Sequence, residues 1–120
     1  MITGYNVQLQ PHNSFRTKAW AKIFCNPQSV EELSECIRTF PQEQVLVLGY
    51  GFNLFFTKDF DGLVIKPCMR GIRTLSETPE YIEIEAGAAE EWDGFVAYCV
   101  ENGYAGIENL SLIPGSVGAS

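Results

Sequence analysis

A C-x-x-C pair is missing from this chain. Its four cysteines, Cys25, Cys36, Cys68 and Cys99, are never closer than eleven residues, and its one histidine, His12, has no second histidine or cysteine nearby. Without those spacings there is no zinc or thioredoxin-type redox motif, and no metal ligand is assigned. The cysteines stand among apolar neighbours and read as reduced, buried thiols. His12, beside Pro11 and Asn13, reads as a surface residue. No G-K-[ST] follows a glycine loop, which excludes a Walker P-loop. Neither G-x-S-x-G nor H-E-x-x-H occurs. Positive charge is scarce: eight Lys and Arg stand against fifteen Asp and Glu, a net charge of −7. General nucleic-acid binding needs a clustered basic face and is not expected. No apolar run approaches the roughly 20 residues of a membrane helix. The first fourteen residues have no basic n-region or apolar core, so they do not read as a signal peptide. A cytoplasmic protein is the expectation.

Apolar residues are plentiful. They make up 46% of the 120 residues, with eight Phe, five Tyr and two Trp, enough for a folded core in a chain of ordinary domain size. Val45 to Leu48 read as a buried strand that runs into Gly49-Tyr50-Gly51-Phe52-Asn53. Successive amides in such a turn can converge on an anion, and glycine leaves the backbone accessible. This is a candidate phosphate cradle. It is not a dinucleotide fingerprint of the G-x-G-x-x-G type. The third glycine is Leu54, Asp59, Asp61 and Gly62 interrupt any following helix, and Cys68 and Met69 lie where the ribose-binding carboxylate belongs.

In chain order, residues 1–18 read as an extended arm anchored by Phe15. Trp20–Cys25 alternates as a strand, with Ala21, Ile23 and Cys25 on one side. Ser29 and Glu32 form a capping box. The helix behind it places Val30, Leu33, Ile37 and Phe40 on one face and ends at Pro41. With Val45–Leu48 this makes a β-α-β unit, for which parallel pairing is usual. Asp59–Gly62 reads as a turn in which Gly62 is able to take positive φ, Leu63–Ile65 as a strand, and Ile72–Leu75 as a candidate for a further one. Tyr81–Ala86 alternates, with Glu83 and Glu85 on a wet face rather than forming a catalytic pair. Glu90–Asn102 reads as a helix. Its stripe of Trp92, Phe95, Val96 and Cys99 is assigned to the core, and Asn102-Gly103 is the stop.

A second small-residue stretch closes the chain: Gly115, Ser116, Gly118, Ala119 and Ser120, preceded by the polar pair Glu108-Asn109. Such a surface suits close approach of a flat or phosphate-bearing ligand. The chain stops inside it, and a fragment of a longer protein is expected. From the residues alone, the reading is a binding module with two glycine-containing loops and no complete active site.

The two stretches, about sixty residues apart, carry a resemblance. Leu48-Gly49-Tyr50-Gly51-Phe52-Asn53-Leu54, Asp59-Phe60-Asp61-Gly62 and Gly106-Ile107-Glu108-Asn109-Leu110-Ser111-Leu112-Ile113-Pro114-Gly115-Ser116-Val117-Gly118-Ala119 resemble the N-terminal part of the MurB family of UDP-N-acetylenolpyruvoylglucosamine reductases. Asn13-Ser14-Phe15 matches that family's N-T-F arm. The resemblance implies an α+β FAD-binding fold of the MurB/PCMH type, made of two small α+β subdomains with FAD between them. They would span residues 1–66 and 67–120, the second truncated and the substrate-binding domain absent.

It further implies that Gly49, Tyr50, Gly51, Phe52, Asn53 and Leu54 wrap the FAD pyrophosphate. Ile113, Pro114, Gly115, Ser116, Val117, Gly118, Ala119 and Ser120 would line the cofactor toward the pyrophosphate and flavin. Family members take a hydride from NADPH onto FAD and pass it to the enolpyruvyl group of the UDP-sugar, forming UDP-N-acetylmuramate for peptidoglycan. The catalytic serine, glutamate and arginine of the family lie beyond Ser120, so no catalytic residue is carried over. The family loop reads G-x-G-S-N; here Phe52 stands in place of the serine, which removes a hydroxyl donor but not the backbone amide. The fragment is expected to be inactive alone, and a truncated cleft with exposed apolar surface would favour self-association. The alternatives are a self-contained nucleotide- or phosphate-binding module and an FAD-linked oxidase of the wider family.

Overall fold

The computed structural model describes residues 3–13, 15–51 and 56–120. The chain divides into two compact units, Met1–Cys68 and Met69–Ser120.

The first unit is built on a four-stranded sheet. Its strands are β1 (Thr3–Gln8), β2 (Trp20–Cys25), β3 (Val45–Val47) and β4 (Phe60–Ile65), in the order β1-β2-β4-β3, with helix α1 (Val30–Thr39) between β2 and β3. β1 lies antiparallel to β2, while β2 and β3 both run parallel to β4. The two strands of the β-α-β unit are therefore parallel but not neighbours: β4 is inserted between them. β1 takes up residues 3–8 of the extended arm expected over residues 1–18 and pairs it into the sheet.

Insertion of β4 buries its last four residues. Leu63, Val64 and Ile65 are almost without solvent exposure. On one sheet face Ile23, Cys25, Leu63 and Ile65 pack with Cys36, Leu33 and Phe40 of the α1 segment. On the other, Leu9, Ala19, Ala21, Phe24, Leu48, Phe56 and Val64 form a second cluster. Ala21 was expected beside Ile23, but an irregularity in the β2–β4 register between them puts Ala21 in the other cluster.

α1 begins as its sequence requires. The Ser29 hydroxyl accepts from the Glu32 amide at 3.1 Å. The Glu32 carboxylate reaches one residue further back than expected, to the Gln28 amide at 2.7 Å. That hydrogen bond holds Glu32 below the ordinary glutamate pKa. The buried stripe is narrower than the periodicity implied: Cys36 is buried, but Val30 and Ile37 face outward. β3 is an edge strand with Val45 and Val47 exposed, so of the expected buried run Leu48 is fully buried and Leu46 packs partly buried against the same cluster. Asp59–Gly62 is not a free turn. Gly62 lies inside β4 without a positive φ, and a Cβ there would meet the Gln44 carbonyl at 2.5 Å.

The second unit starts with the antiparallel pair β5 (Ile72–Glu77) and β6 (Ile82–Ala86). The Thr78 hydroxyl accepts from the Tyr81 amide at 3.1 Å across its turn. Glu85 pairs with Arg73 and Glu83 accepts from Ser76, so the two glutamates form cross-strand surface pairs. Helix α2 (Trp92–Glu101) buries Val96 and Cys99. Asn102 donates from its side chain to the Tyr98 carbonyl at 2.8 Å, and Gly103 follows with φ 74°, which ends the helix.

Candidate functional site

The glycine loop leaves the C-terminal end of β3, the position where parallel strands present ligand-binding loops. The Leu48 amide donates to the Ile65 carbonyl at 2.8 Å, which keeps the exits of β3 and β4 side by side. Gly51 has φ 77° and is buried; a Cβ on it would lie 2.0 Å from the His12 carbonyl oxygen and 2.6 Å from Asn13 Cα. Only glycine satisfies both the backbone angle and that contact. Gly49, Tyr50 and Gly51 are thus placed at the end of β3, whereas Phe52, Asn53 and Leu54 lie outside the described residues.

The partner of Gly51 is a short 3-10 turn, Gln10–His12, closed by Asn13. Asn13 is 4% exposed and holds the turn shut. Its side-chain amide donates to the Leu9 carbonyl at 2.8 Å, and its carbonyl accepts from the Thr17 amide at 2.9 Å. Asn13 and Leu9, rather than the exposed Phe15, anchor the arm. His12 is not a plain surface residue either. Its ring stacks on Phe24 with centroids 4.9 Å apart, and Nδ1 lies 3.0 Å from Lys66 Nζ. Burial first, and then the neighbouring ammonium, lower the imidazole pKa. The neutral ring therefore accepts from Lys66.

In the second unit, the closing stretch folds back on the start of α2. The Trp92 amide donates to the Gly115 carbonyl at 3.0 Å and the Val117 amide to the Glu90 carbonyl at 2.9 Å, while Glu91 and Ser116 form an antiparallel bridge. These contacts frame a cavity of about 380 Å³ lined by Trp92, Leu110, Ile113, Pro114, Gly115, Ser116, Ala119 and Ser120. Its walls are largely apolar, with small residues and two serines among them, so they admit a flat ring system with a few polar atoms. Gly115 takes φ 124°, and a Cβ on it would point into open space.

Six of the eight expected residues of this stretch line the cavity. Val117 and Gly118 do not: Gly118 donates to the Ala88 carbonyl at 3.0 Å and packs directly on Ala88. Trp92 and Leu110 were not expected there. The aromatic stripe of α2 was assigned to the core, yet Trp92 is a cavity wall, and its indole N–H donates to the Leu110 carbonyl at 2.9 Å. A tryptophan at the first residue of a helix, with a small-residue loop following that helix, was the available signal. Glu108 has a supporting role. It accepts from the Gly106 amide at 2.6 Å, and backbone donation from its own amide and from Gly106 lowers its pKa. Among the described residues no cluster of three or more His, Cys, Asp or Glu is placed to hold a metal, and no helix is long and apolar enough to cross a membrane.

A glycine loop after a parallel strand and a small-residue cavity stand in one α+β chain. The FAD binding domain family matches residues 21–120, and the chain belongs to it. Among individual proteins, the chain is 43% identical over 117 residues to the UDP-N-acetylenolpyruvoylglucosamine reductase of Chromobacterium violaceum, covering 96% of this chain and 34% of that protein. The enzyme of the same name from Neisseria gonorrhoeae is 42% identical over 118 residues, again with 34% of its length covered. The crystal structure of UDP-N-acetylenolpyruvylglucosamine reductase (MurB) from Thermus caldophilus superposes with a TM-score of 0.62 at 21% identity, covering 93% of this chain and 38% of that one. The chain thus spans about a third of the length of the curated relatives it matches.

Proposed function

We propose that this chain is the FAD-binding portion of a flavoenzyme that reduces UDP-N-acetylenolpyruvoylglucosamine, with NADPH as the electron donor, in cytoplasmic peptidoglycan precursor synthesis. The observation that carries this reading is the 43% identity to a reductase of that name over 96% of the chain. The cavity beside Trp92 is consistent with it. In this reading Gly49 to Leu54 hold the pyrophosphate through backbone amides. Ile113 to Ser120, with Trp92 and Leu110, hold the flavin side. When bound, the flavin supplies hydride transfer. The chain's own residues bind and orient it and keep water from one face of the ring. The partners are small molecules, the cofactor and a UDP-sugar, without nucleic acid or membrane; the isolated chain self-associates through its exposed apolar surface and does not turn over.

Two measurements test this. Titration of the chain with FAD should give saturable quenching of flavin fluorescence. A chimera joining this chain to the remaining two thirds of the Chromobacterium violaceum reductase should oxidise NADPH only when the enolpyruvyl UDP-sugar is added. A chimera that folds, retains FAD and still shows no substrate-dependent oxidation would overturn the proposed activity.

A further inference from the structure

Lys66 has an unusual partner. It follows β4 directly, and its ammonium lies 3.0 Å from a neutral imidazole rather than from a carboxylate. Among the described residues it makes no ion pair. A lysine paired with a carboxylate has its charge cancelled; one held by a neutral acceptor keeps the full positive charge. This happens in a chain of net charge −7, where an uncompensated cation stands out against the surrounding field. The position is also set by the fold. The Leu48–Ile65 hydrogen bond places the end of β4 against the end of β3, and the carbonyl of His12 is seated on Gly51. His12 thus touches the glycine loop with its backbone and Lys66 with its ring. The ring is fixed by its stack on Phe24, and the backbone by the Asn13 hydrogen bonds.

We propose that Lys66, held on the His12 imidazole beside Gly51, is a binding residue for the diphosphate of the ligand carried by the glycine loop. His12 is its positioning residue. The inference rests on the FAD reading above and adds a point charge beside the backbone amides of the loop. An ammonium is well suited here, because a compact charge serves phosphate oxygens without demanding one geometry. Swinging from the imidazole to a phosphate costs Lys66 one neutral acceptor and gains an ionic one, so the ligated arrangement is favoured.

The test uses the full chain and three probes: FAD, ADP and riboflavin. Because His12 is the only histidine, its ring signals in ¹H–¹³C spectra report directly on the pair. ADP should shift them in the wild type, while riboflavin, which has no phosphate, should not. Lys66→Met should weaken ADP and FAD roughly tenfold, the size of one charge-assisted hydrogen bond, and leave riboflavin unchanged; Lys66→Arg should recover most of the loss. If Lys66→Met does not fold, the wild-type His12 shifts with ADP decide the matter alone. Equal ADP affinity in wild type and Lys66→Met, or no His12 response to ADP, overturns the proposal. FAD binding that persists in that case leaves the cofactor reading intact. ADP binding without FAD or riboflavin binding upholds the role of Lys66 and removes the flavin.

Discussion

The indole N–H of Trp92, at the first residue of α2, is bonded to the carbonyl of Leu110 at 2.9 Å, which ties the helix start to the loop that returns across it. The same ring forms a wall of the cavity. Trp92→Phe keeps an aromatic surface but leaves the Leu110 carbonyl without this donor. It should cost about 1 kcal/mol of stability and lower flavin affinity several-fold. The check is spectroscopic. Trp20, the other tryptophan, lies in the first unit and is exposed. In a Trp20→Phe background, FAD should quench the remaining emission of Trp92. Unchanged Trp92 emission at saturating FAD would place the flavin elsewhere.

Gly51 and Gly115 both take positive φ, yet their replacement should differ in severity. At Gly115 an added Cβ meets open space, so Gly115→Ala carries only backbone strain, about 1–3 kcal/mol. At Gly51 the same strain is joined by a collision with the His12 carbonyl at 2.0 Å, which is backbone and cannot swing aside. Gly51→Ala should exceed about 3 kcal/mol, and urea unfolding of both variants should rank it as clearly the more damaging.

Local chemistry was legible where one short segment decided the outcome. The Ser29 cap, the Trp20–Cys25 strand and the glycine stop after α2 needed only their neighbours in sequence. Features that depend on distant partners were not legible. β1 contains Gly4 and Asn6, poor strand formers, and exists because β2 offers an edge. The insertion of β4 between β2 and β3 exposes Val45 and Val47 by leaving β3 at the rim. Val30 and Ile37 fit a helical stripe, but the sheet they would cover is already filled by Leu33, Cys36 and Phe40. His12 and Lys66 are 54 residues apart, and nothing in either neighbourhood announces the other. For the candidate site, the small-residue stretch was visible as composition, whereas its Trp92 wall required the fold-back of the loop.

The depressed pKa of His12 makes stability depend on pH in one window. An unfolded histidine titrates near 6.5, while burial and then Lys66 hold the folded value lower. Between those two values the unfolded chain binds more protons, so stability rises with pH. The contribution is complete above about 6.5 and is lost as pH falls through the folded pKa. His12→Gln should flatten the slope of urea-unfolding free energy in that window. Lys66→Met removes the ammonium and should move the folded pKa of His12 upward, narrowing the window, which a ring-proton titration would read directly. A folded value at or above that of the unfolded chain would contradict the burial of the ring against Phe24.

The thiols should react in an order set by burial. Cys25, Cys36 and Cys99 are buried and Cys68 is half-buried; all four are free. Burial, followed by the adjoining Cys25 thiol, pushes Cys36 up to about 12, and burial alone raises Cys99. The thiolate is the nucleophile, so these two thiols are inert at neutral pH for a chemical as well as a steric reason. Iodoacetamide followed by peptide mass spectrometry should label Cys68 first. Cys36 should be labelled only as fast as the first unit opens, so its rate should climb with urea while that of Cys68 changes little. Equal labelling of Cys36 and Cys68 in the native chain would mean that α1 does not stay packed over Cys25, Leu63 and Ile65, the arrangement that holds one sheet face closed.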